Sequence, residues 1–210
     1  MIEQPWGVTA FGRGTIRTEP DHAIVRLAVN RVHDSPKTAL DDAKTAVSAV
    51  RASLRAHGIV DDNVTSSRTR VHSTWSGSGS ERTFLGHQCR VELSVRVTKL
   101  DLVEPAVVDA VDAGADEILG IVYDASSTAE LRAEARERAV AAAHAKARLF
   151  AEAANVRLGP VVHIEDADPD VRRFDDTRPA HMGGAVGGDD LAPGQVTISA
   201  AVVLGFSIAR

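Results

Sequence analysis

The sequence is poor in cysteine and in aromatic residues, and it lacks a long apolar run. Cys89 is the only cysteine among 210 residues, so no disulfide can form within the chain. Aromatic residues make up 4% of the chain, and none lies in a basic run that could stack single-stranded nucleic acid. No apolar run approaches the roughly 18 residues that a membrane-spanning helix needs. These absences exclude an intrachain disulfide framework and predict that the chain has no membrane span.

Basic charge is scarce relative to acidic charge, which gives the chain a net charge of -5 at pH 7. Nucleic-acid-binding domains concentrate lysine and arginine to neutralise phosphates, so we expect no nucleic-acid partner. Residues 1–7 also lack the basic leader and apolar segment of a secretory signal. From this N-terminal sequence we expect a soluble protein with a cytoplasmic location.

Apolar residues are plentiful and make up 44% of the chain, which is enough for a sizeable core. The length suits one domain or two small ones, and we predict a single domain over residues 1–210. Residues 166–194 are different, because proline, glycine and aspartate replace any apolar periodicity there. We predict a mobile acidic, glycine-rich loop over this segment.

Alternation of apolar and polar residues predicts the strands. Residues 8–17 and 23–32 both alternate, and Glu19-Pro20-Asp21 between them is typical of a turn, so we predict that they pair. Further strands are predicted over residues 64–75, 83–98, 117–123, 161–165 and 195–208, of which the first two form a hairpin and the last closes the sheet.

Helical spacing of apolar residues predicts helices over residues 36–57, 101–114 and 128–154. Asp34 and Ser35 before Pro36 are both suitable N-cap residues for the first helix. The pairs Asp101/Glu104 and Ser127/Glu130 are spaced as capping boxes for the other two. Together the elements predict an α+β fold, in which an antiparallel sheet carries two shorter helices and one long alanine-rich helix.

The long helix holds twelve alanines among residues 128–154, and alanine has the highest helix propensity. One face of mostly methyl groups recurs at about 3.6 residues, which predicts close packing against a sheet or another helix. The residues of that predicted face are Leu131, Ala135, Ala139, Ala142, Ala145, Leu149 and Ala153.

Gly12 and Gly14 follow an apolar strand but match no nucleotide-binding loop, since neither a third glycine nor Gly-Lys-Ser/Thr follows. We interpret them as a bulge or as a close approach of backbone within a strand.

Metal or catalytic chemistry has few candidate residues. His72, His87 and Cys89 could meet across the hairpin as weak candidate metal ligands, but zinc needs three or four ligands in fixed geometry and neither a cysteine pair nor a His-Glu-x-x-His helix is present. No nucleophile lies in a strand-to-helix elbow. We therefore predict no catalytic residue and no cofactor.

The order of short motifs resembles that of the SIMPL-domain family, which includes periplasmic immunogenic and oxidative-stress-defence proteins of bacteria and kinase-binding relatives of animals. The resemblance spans nearly the whole chain. Its single-residue positions are Gly12, Gly14, Pro20, Asp21, Gly114, Lys146 and Gly159. Its longer stretches are residues 8–14, 54–59, 112–115, 135–140, 145–147, 158–159 and 193–195, together with Thr65.

The resemblance implies an α+β fold and, for some members, ring-like or channel-like assembly, but no agreed catalytic residues. The leading hypothesis is a non-enzymatic binding or assembly protein, with an envelope or stress-related role, that forms a homo-oligomer or binds a protein partner. The alternative is an enzyme or a binder of a small ligand or metal, with a site near residues 72–89 and 166–194.

Overall fold

The computed structural model describes residues 7–77, 82–167 and 194–209. Contacts divide this part of the chain into two compact units. Described residues 7–19, 125–167 and 194–209 form the first unit, and described residues 20–77 and 82–124 form the second. Most of the predicted 166–194 loop lies outside the described residues.

All ten predicted helices and strands are present, and their ends differ from the predicted ends by a few residues. In chain order the elements are β1 (Val8–Thr18), β2 (His22–His33), α1 (Pro36–Ala56), β3 (Val64–Ser76), β4 (Thr83–Val97), α2 (Val103–Asp112), β5 (Glu117–Asp124), α3 (Thr128–Ala153), β6 (Arg157–Asp166) and β7 (Val196–Ala209). The predicted α+β class and the antiparallel pairing of the strands are confirmed.

In the first unit, helix α3 lies directly on strand β1 of an antiparallel sheet with the order β1-β7-β6. Gly12 and Gly14 make this approach possible, because a Cβ atom at either position would lie 2.0 Å from a backbone oxygen of α3. Strand β1 pairs with β7 without a register shift from Val8 to Thr18. The close approach predicted for the glycine pair is therefore confirmed, and the bulge is absent.

The buried stripe of α3 consists of alanines spaced four residues apart: Ala135, Ala139, Ala143, Ala147 and Ala151. The predicted stripe is wrong beyond Ala139, because Ala145 is exposed and the Leu149 side chain is 62% exposed. The observed alanines form an i+4 ridge, and such a ridge is inclined to the helix axis. A row of residues spaced by four drifts away from a face with a period of 3.6 residues over several turns. The apolar pattern of the sequence does not show which of the two is buried.

In the second unit, helices α1 and α2 cover one face of an antiparallel sheet with the order β3-β4-β2-β5. Alternate residues of the central strands face the helices and are buried, as Val25, Leu27 and Leu93 show. Helix α1 begins after Ser35 with Pro36 in its first turn, as predicted, but the Ser35 side chain makes no capping hydrogen bond. Its buried face contributes Ala39, Ala43, Ala46, Val50 and Leu54.

Two sequence predictions about this architecture are wrong. Strands β1 and β2 do not pair with each other, since β1 pairs with β7 whereas β2 pairs with β4 and β5. The described strands accordingly form two sheets rather than one. The reason is that alternation shows which residues share a face of a strand but does not identify the neighbouring strand.

The predicted capping boxes are also absent, because neither α2 nor α3 has a side-chain hydrogen bond at its N-cap. Helix α2 begins after Leu102, since a short 3-10 turn over Leu100–Leu102 includes Asp101. Among the residues that the structure describes, no helix combines the length and the apolar character needed to cross a membrane.

Candidate functional site

The three weak metal-ligand candidates occupy both faces of the second sheet. His72 lies opposite Gln88 in the β3–β4 pair, whereas Cys89 lies opposite Val71 and His87 opposite Ser73. Because neighbouring residues in a strand point to opposite faces, His87 shares a face with Cys89 but His72 does not. Within residues 7–77, 82–167 and 194–209, no group of three or more histidine, cysteine or acidic side chains is placed to hold a metal ion.

Cys89 itself is fully buried in the core of the second unit. Burial raises the pKa of its thiol, since the apolar surroundings disfavour the thiolate, and the charge of Lys44 offsets part of this effect. A thiol in this setting is a weak nucleophile and a poor metal ligand.

The motif positions of the second unit lie where chain segments meet. Asp21, next to Pro20, donates its backbone N–H to the carbonyl of Asp124 at 3.0 Å, which joins the two ends of this unit. Gly114 has a φ of 116° after helix α2, a left-handed conformation that glycine adopts most readily. Its carbonyl accepts a hydrogen bond from Arg31 at 3.0 Å.

The motif positions of the first unit hold α3 and β6 against their neighbours. Lys146 of α3 donates to the backbone carbonyl of Phe11 at 2.7 Å and so satisfies an acceptor of β1, which is an edge strand in the described sheet. At Gly159 a Cβ atom would lie 2.3 Å from the Ser207 hydroxyl of β7. These contacts, like those of Gly12 and Gly14, give the motif positions packing roles.

A polar network crosses the second sheet on the face opposite the helices. The Arg90 guanidinium of β4 donates to both carboxylate oxygens of Glu117 on β5, at 2.7 and 2.9 Å. Asn30 of β2 lies between them and donates to the same carboxylate at 2.7 Å. These hydrogen bonds lower the pKa of Glu117, with the bond from Arg90 as the main cause, and they raise the pKa of Arg90. The network therefore joins three strands at neutral pH.

One outer edge of this sheet is an apolar strand. Strand β5 neighbours only β2 in the described sheet, and between Glu117 and Asp124 it contains no charged residue. Ile118, Leu119 and Val122 are exposed by 50%, 38% and 53%. We call these three side chains and the outer side of the strand beside them the β5 edge.

A second exposed apolar group lies at the far end of the β3–β4 hairpin. The rings of Trp75 and Phe84 pack edge to face with centroids 4.9 Å apart, and the Arg82 guanidinium lies 5.3 Å from the Trp75 ring centroid. Trp75, Phe84 and Leu85 are exposed by 46%, 43% and 52%. We call Trp75, Arg82, Phe84 and Leu85 the hairpin tip.

The sequence analysis did not identify either exposed surface. The uncharged run at residues 118–123 indicates a buried strand, and only the strand order shows that it lies at an edge. Trp75 and Phe84 are nine positions apart, and only the hairpin register places them opposite each other. In the sequence, the one indication that they lie close together is that they flank a Gly/Ser-rich connector.

Comparison with known proteins gives a consistent match along the chain. Residues 8–206 match the family model SIMPL, described as a protein of unknown function (DUF541). The 26 kDa periplasmic immunogenic protein of Brucella melitensis is 31% identical over 79% of this chain and 68% of its own length. The protein of the same name from Brucella abortus strain S19 has the same identity and coverage.

Among solved structures, one match is titled the crystal structure of AtUAH in complex with (S)-hydroxyglycine. Its TM-score is 0.25 at 10% identity, and the match covers 61% of this chain and about a third (34%) of that one. A similarity this low supports no argument. The Brucella relatives, in contrast, are named periplasmic proteins, so the cytoplasmic location expected from residues 1–7 is wrong.

Proposed function

The chain belongs to the SIMPL family, and from this premise we propose that it is a non-enzymatic assembly protein of the periplasm whose subunits associate through the β5 edge. The observation that carries the proposal is an edge strand whose exposed side chains are apolar. An edge strand can form backbone hydrogen bonds with another strand, and burial of its apolar side chains favours association.

The two edges of the second sheet differ in how well they suit pairing. Strand β3 at the opposite edge carries Arg68 and Arg70, and its register with β4 shifts between Ser66 and Arg68. Charged side chains and bulges are the usual protection of an edge against pairing. Strand β5 has a register shift near Gly120, but from Ile118 to Tyr123 it has neither charge nor proline. The difference favours β5 as the association edge.

A second copy of the chain is the partner that suits this edge. Two β5 strands related by a two-fold axis would pair antiparallel, and each apolar side chain would then face an apolar strand of the other copy. Pairing would join two four-stranded sheets into one continuous sheet. Helix α2, which precedes β5 in the chain, exposes Val108 and Val111, which add apolar surface to the same unit.

The periplasmic location in this proposal is supported by the names of the Brucella relatives. The non-enzymatic role is supported by what the motif positions do, since Gly12, Gly14, Lys146 and Gly159 make packing contacts between elements. A role in oxidative-stress defence stays a prediction from the family resemblance.

The test is a charge placed on the β5 edge. We expect the native chain to associate reversibly in sedimentation velocity and Val122→Lys to raise the dissociation constant by about tenfold or more, which is about 1.4 kcal/mol of association free energy. The substitution would place a charged lysine in the apolar interface on both copies. Val60→Lys is the matched control, because Val60 is 57% exposed but precedes a 3-10 turn outside any strand.

A native chain that stays monomeric over a wide concentration range would refute the assembly role. If Val122→Lys associates as strongly as Val60→Lys, the assembly role would stand. The β5 edge would then be refuted as the surface of association.

A further inference from the structure

We propose that the hairpin tip docks onto the surface of an anionic lipid bilayer. The proposal concerns a different surface from the β5 edge and does not depend on assembly. It rests on the position of the tip, on its apolar side chains and on the charge of the hairpin that carries it.

The tip extends beyond the rest of its sheet. The last residue of β2 that pairs with β4 is His33, opposite His87. Beyond this point β3 and β4 pair only with each other, from Thr74 opposite Gly86 to Ser76 opposite Thr83. At about 3.3 Å per residue this two-stranded ribbon extends about 10 Å past the end of β2. That length is comparable to the depth of about 5–10 Å to which the apolar face of an interfacial helix enters a bilayer.

The side chains on this ribbon are those that favour a membrane interface. Trp75 and Phe84 form a preorganised aromatic pair, and Leu85 beside them is more than half exposed. Tryptophan is enriched where lipid headgroups meet the hydrocarbon core, because its ring is apolar and its N–H is polar. Arg82 over the Trp75 ring places a cation at the same level.

The charge of the hairpin is opposite to that of the chain as a whole. Residues 64–97, which include both strands of the hairpin, contain five arginines and two acidic residues, Glu81 and Glu92, although the chain has a net charge of -5. Arg68 and Arg70 on β3 are exposed, and they make no ion pair within the part of the chain that the structure describes. Basic residues near an anionic bilayer are attracted to it, and the attraction adds to apolar burial.

A second copy of the chain fits this surface less well than a bilayer does. Two hairpins packed together would bring Arg68, Arg70 and Arg82 of both copies close, with like-charge repulsion as the result. The tip also projects as a narrow ribbon, whose three exposed apolar side chains offer little area for a stable protein interface. An anionic lipid surface is complementary to the positive charge of the hairpin, and it can accommodate a narrow projecting ribbon.

Vesicle binding by the full chain tests the proposal. A Trp6→Phe background leaves Trp75 as the only tryptophan, so its emission reports the tip directly. We expect sedimentation with vesicles of phosphatidylglycerol and phosphatidylcholine, a blue shift of the Trp75 emission, and much weaker sedimentation with phosphatidylcholine alone. High salt should weaken binding, because it screens the attraction.

Two variants separate the apolar and the charged contributions. Starting from the native chain, we expect the double variant Trp75→Ser/Leu85→Ser to lower vesicle binding by about tenfold or more, since it removes two apolar side chains that the lipid would bury. We expect Arg68→Gln/Arg70→Gln to lower binding to the anionic vesicles by about tenfold or more as well. Arg13→Gln/Arg17→Gln is the matched control, because it removes the same charge from exposed positions of β1.

The proposal is overturned if the native chain stays in the supernatant with anionic vesicles, or if the Trp75→Ser/Leu85→Ser variant binds them as the native chain does. Equal loss of binding in Arg13→Gln/Arg17→Gln and Arg68→Gln/Arg70→Gln would also overturn it. The Trp75 emission of the Trp6→Phe protein tests the proposal even if the other variants are unstable. An unshifted spectrum in vesicle-bound protein would show that the tip lies outside the lipid and would overturn the proposal.

Discussion

At the scale of single residues, Gly12 and Gly14 set the distance between β1 and α3. Each lies where a Cβ atom would collide with the backbone of the helix, near Ala139 and Ala135 respectively. The glycines supply space here rather than an unusual φ, since neither has the positive φ of Gly58 or Gly114. Alanines on the helix and glycines on the strand therefore together permit the short distance between α3 and β1.

Gly12→Ala should destabilise the chain by about 3 kcal/mol, because the new methyl group forces the helix or the strand to move in a closely packed interface. Denaturant unfolding followed by circular dichroism measures the change. Gly194→Ala is the control, since within the described part of the chain no atom lies within 4 Å of a Cβ atom built there. We expect that substitution to change the free energy of unfolding by less than about 1 kcal/mol. A Gly12→Ala variant as stable as the control would contradict the packing described for β1 and α3.

At the scale of elements, one cross-strand ion pair connects strands that are not neighbours. Arg90 of β4 reaches across Asn30 of β2 to Glu117 of β5. The Glu117 and Arg90 side chains are 43% and 26% exposed, so solvent screens the pair. The pair is worth about 1 kcal/mol on that basis, despite its bidentate geometry.

Glu117→Gln should therefore lower the free energy of unfolding by about 1 kcal/mol at pH 7. The native-state pKa of Glu117 is lowered, mainly by the hydrogen bond from Arg90. Its contribution is complete above the unfolded-state pKa of about 4.3 and is lost as pH falls through the lower native-state value. The stability gap between the native chain and the variant should thus stay constant from pH 7 to about 5 and close at more acidic pH.

Chemical denaturation at a series of pH values checks this prediction. Glu134→Gln is the matched control, because Glu134 pairs with Arg138 within one turn of α3 and both side chains are about half exposed. We expect less than about 0.5 kcal/mol from that pair. A gap for Glu117→Gln that persists unchanged into acid would show that the carboxylate charge is not its source.

At the scale of the whole molecule, the described residues of the second unit all lie between positions 20 and 124, and the two ends of this stretch meet. Asp21 and Asp124 are joined by a backbone hydrogen bond of 3.0 Å. The first unit is instead assembled from both ends of the chain, since β1 pairs with β7. The single domain over residues 1–210 stays a prediction, and this topology provides its test.

We expect a fragment of residues 20–124 to fold alone and to unfold in one cooperative transition, because its core is formed entirely by its own residues. A fragment of residues 125–210 should not fold, since it lacks β1 and the packing that Gly12 and Gly14 give to α3. Circular dichroism and thermal denaturation distinguish the outcomes. A disordered 20–124 fragment would support one domain, whereas a folded one would divide the chain into two.

Local signals located most elements because their causes are local. Pro36 before an amphipathic stretch marks the start of α1, and alanine content alone identifies α3. The capping boxes failed because a sequence spacing does not ensure that a side chain reaches the backbone N–H. The stripe of α3 failed beyond Ala139 because the strand under a helix, as well as the helical period, decides which ridge is buried.

By itself the sequence determined the secondary structure, the α+β class, the alanine-rich helix and the family, because propensity, periodicity and motif order depend on residues close together in the chain. Only the tertiary structure decided that β1 pairs with β7 and that β5 lies at an edge. It also placed Arg90 beside Glu117 and separated His72 from Cys89. These outcomes depend on pairing between distant segments, and alternation along a strand contains no information about which strand lies beside it.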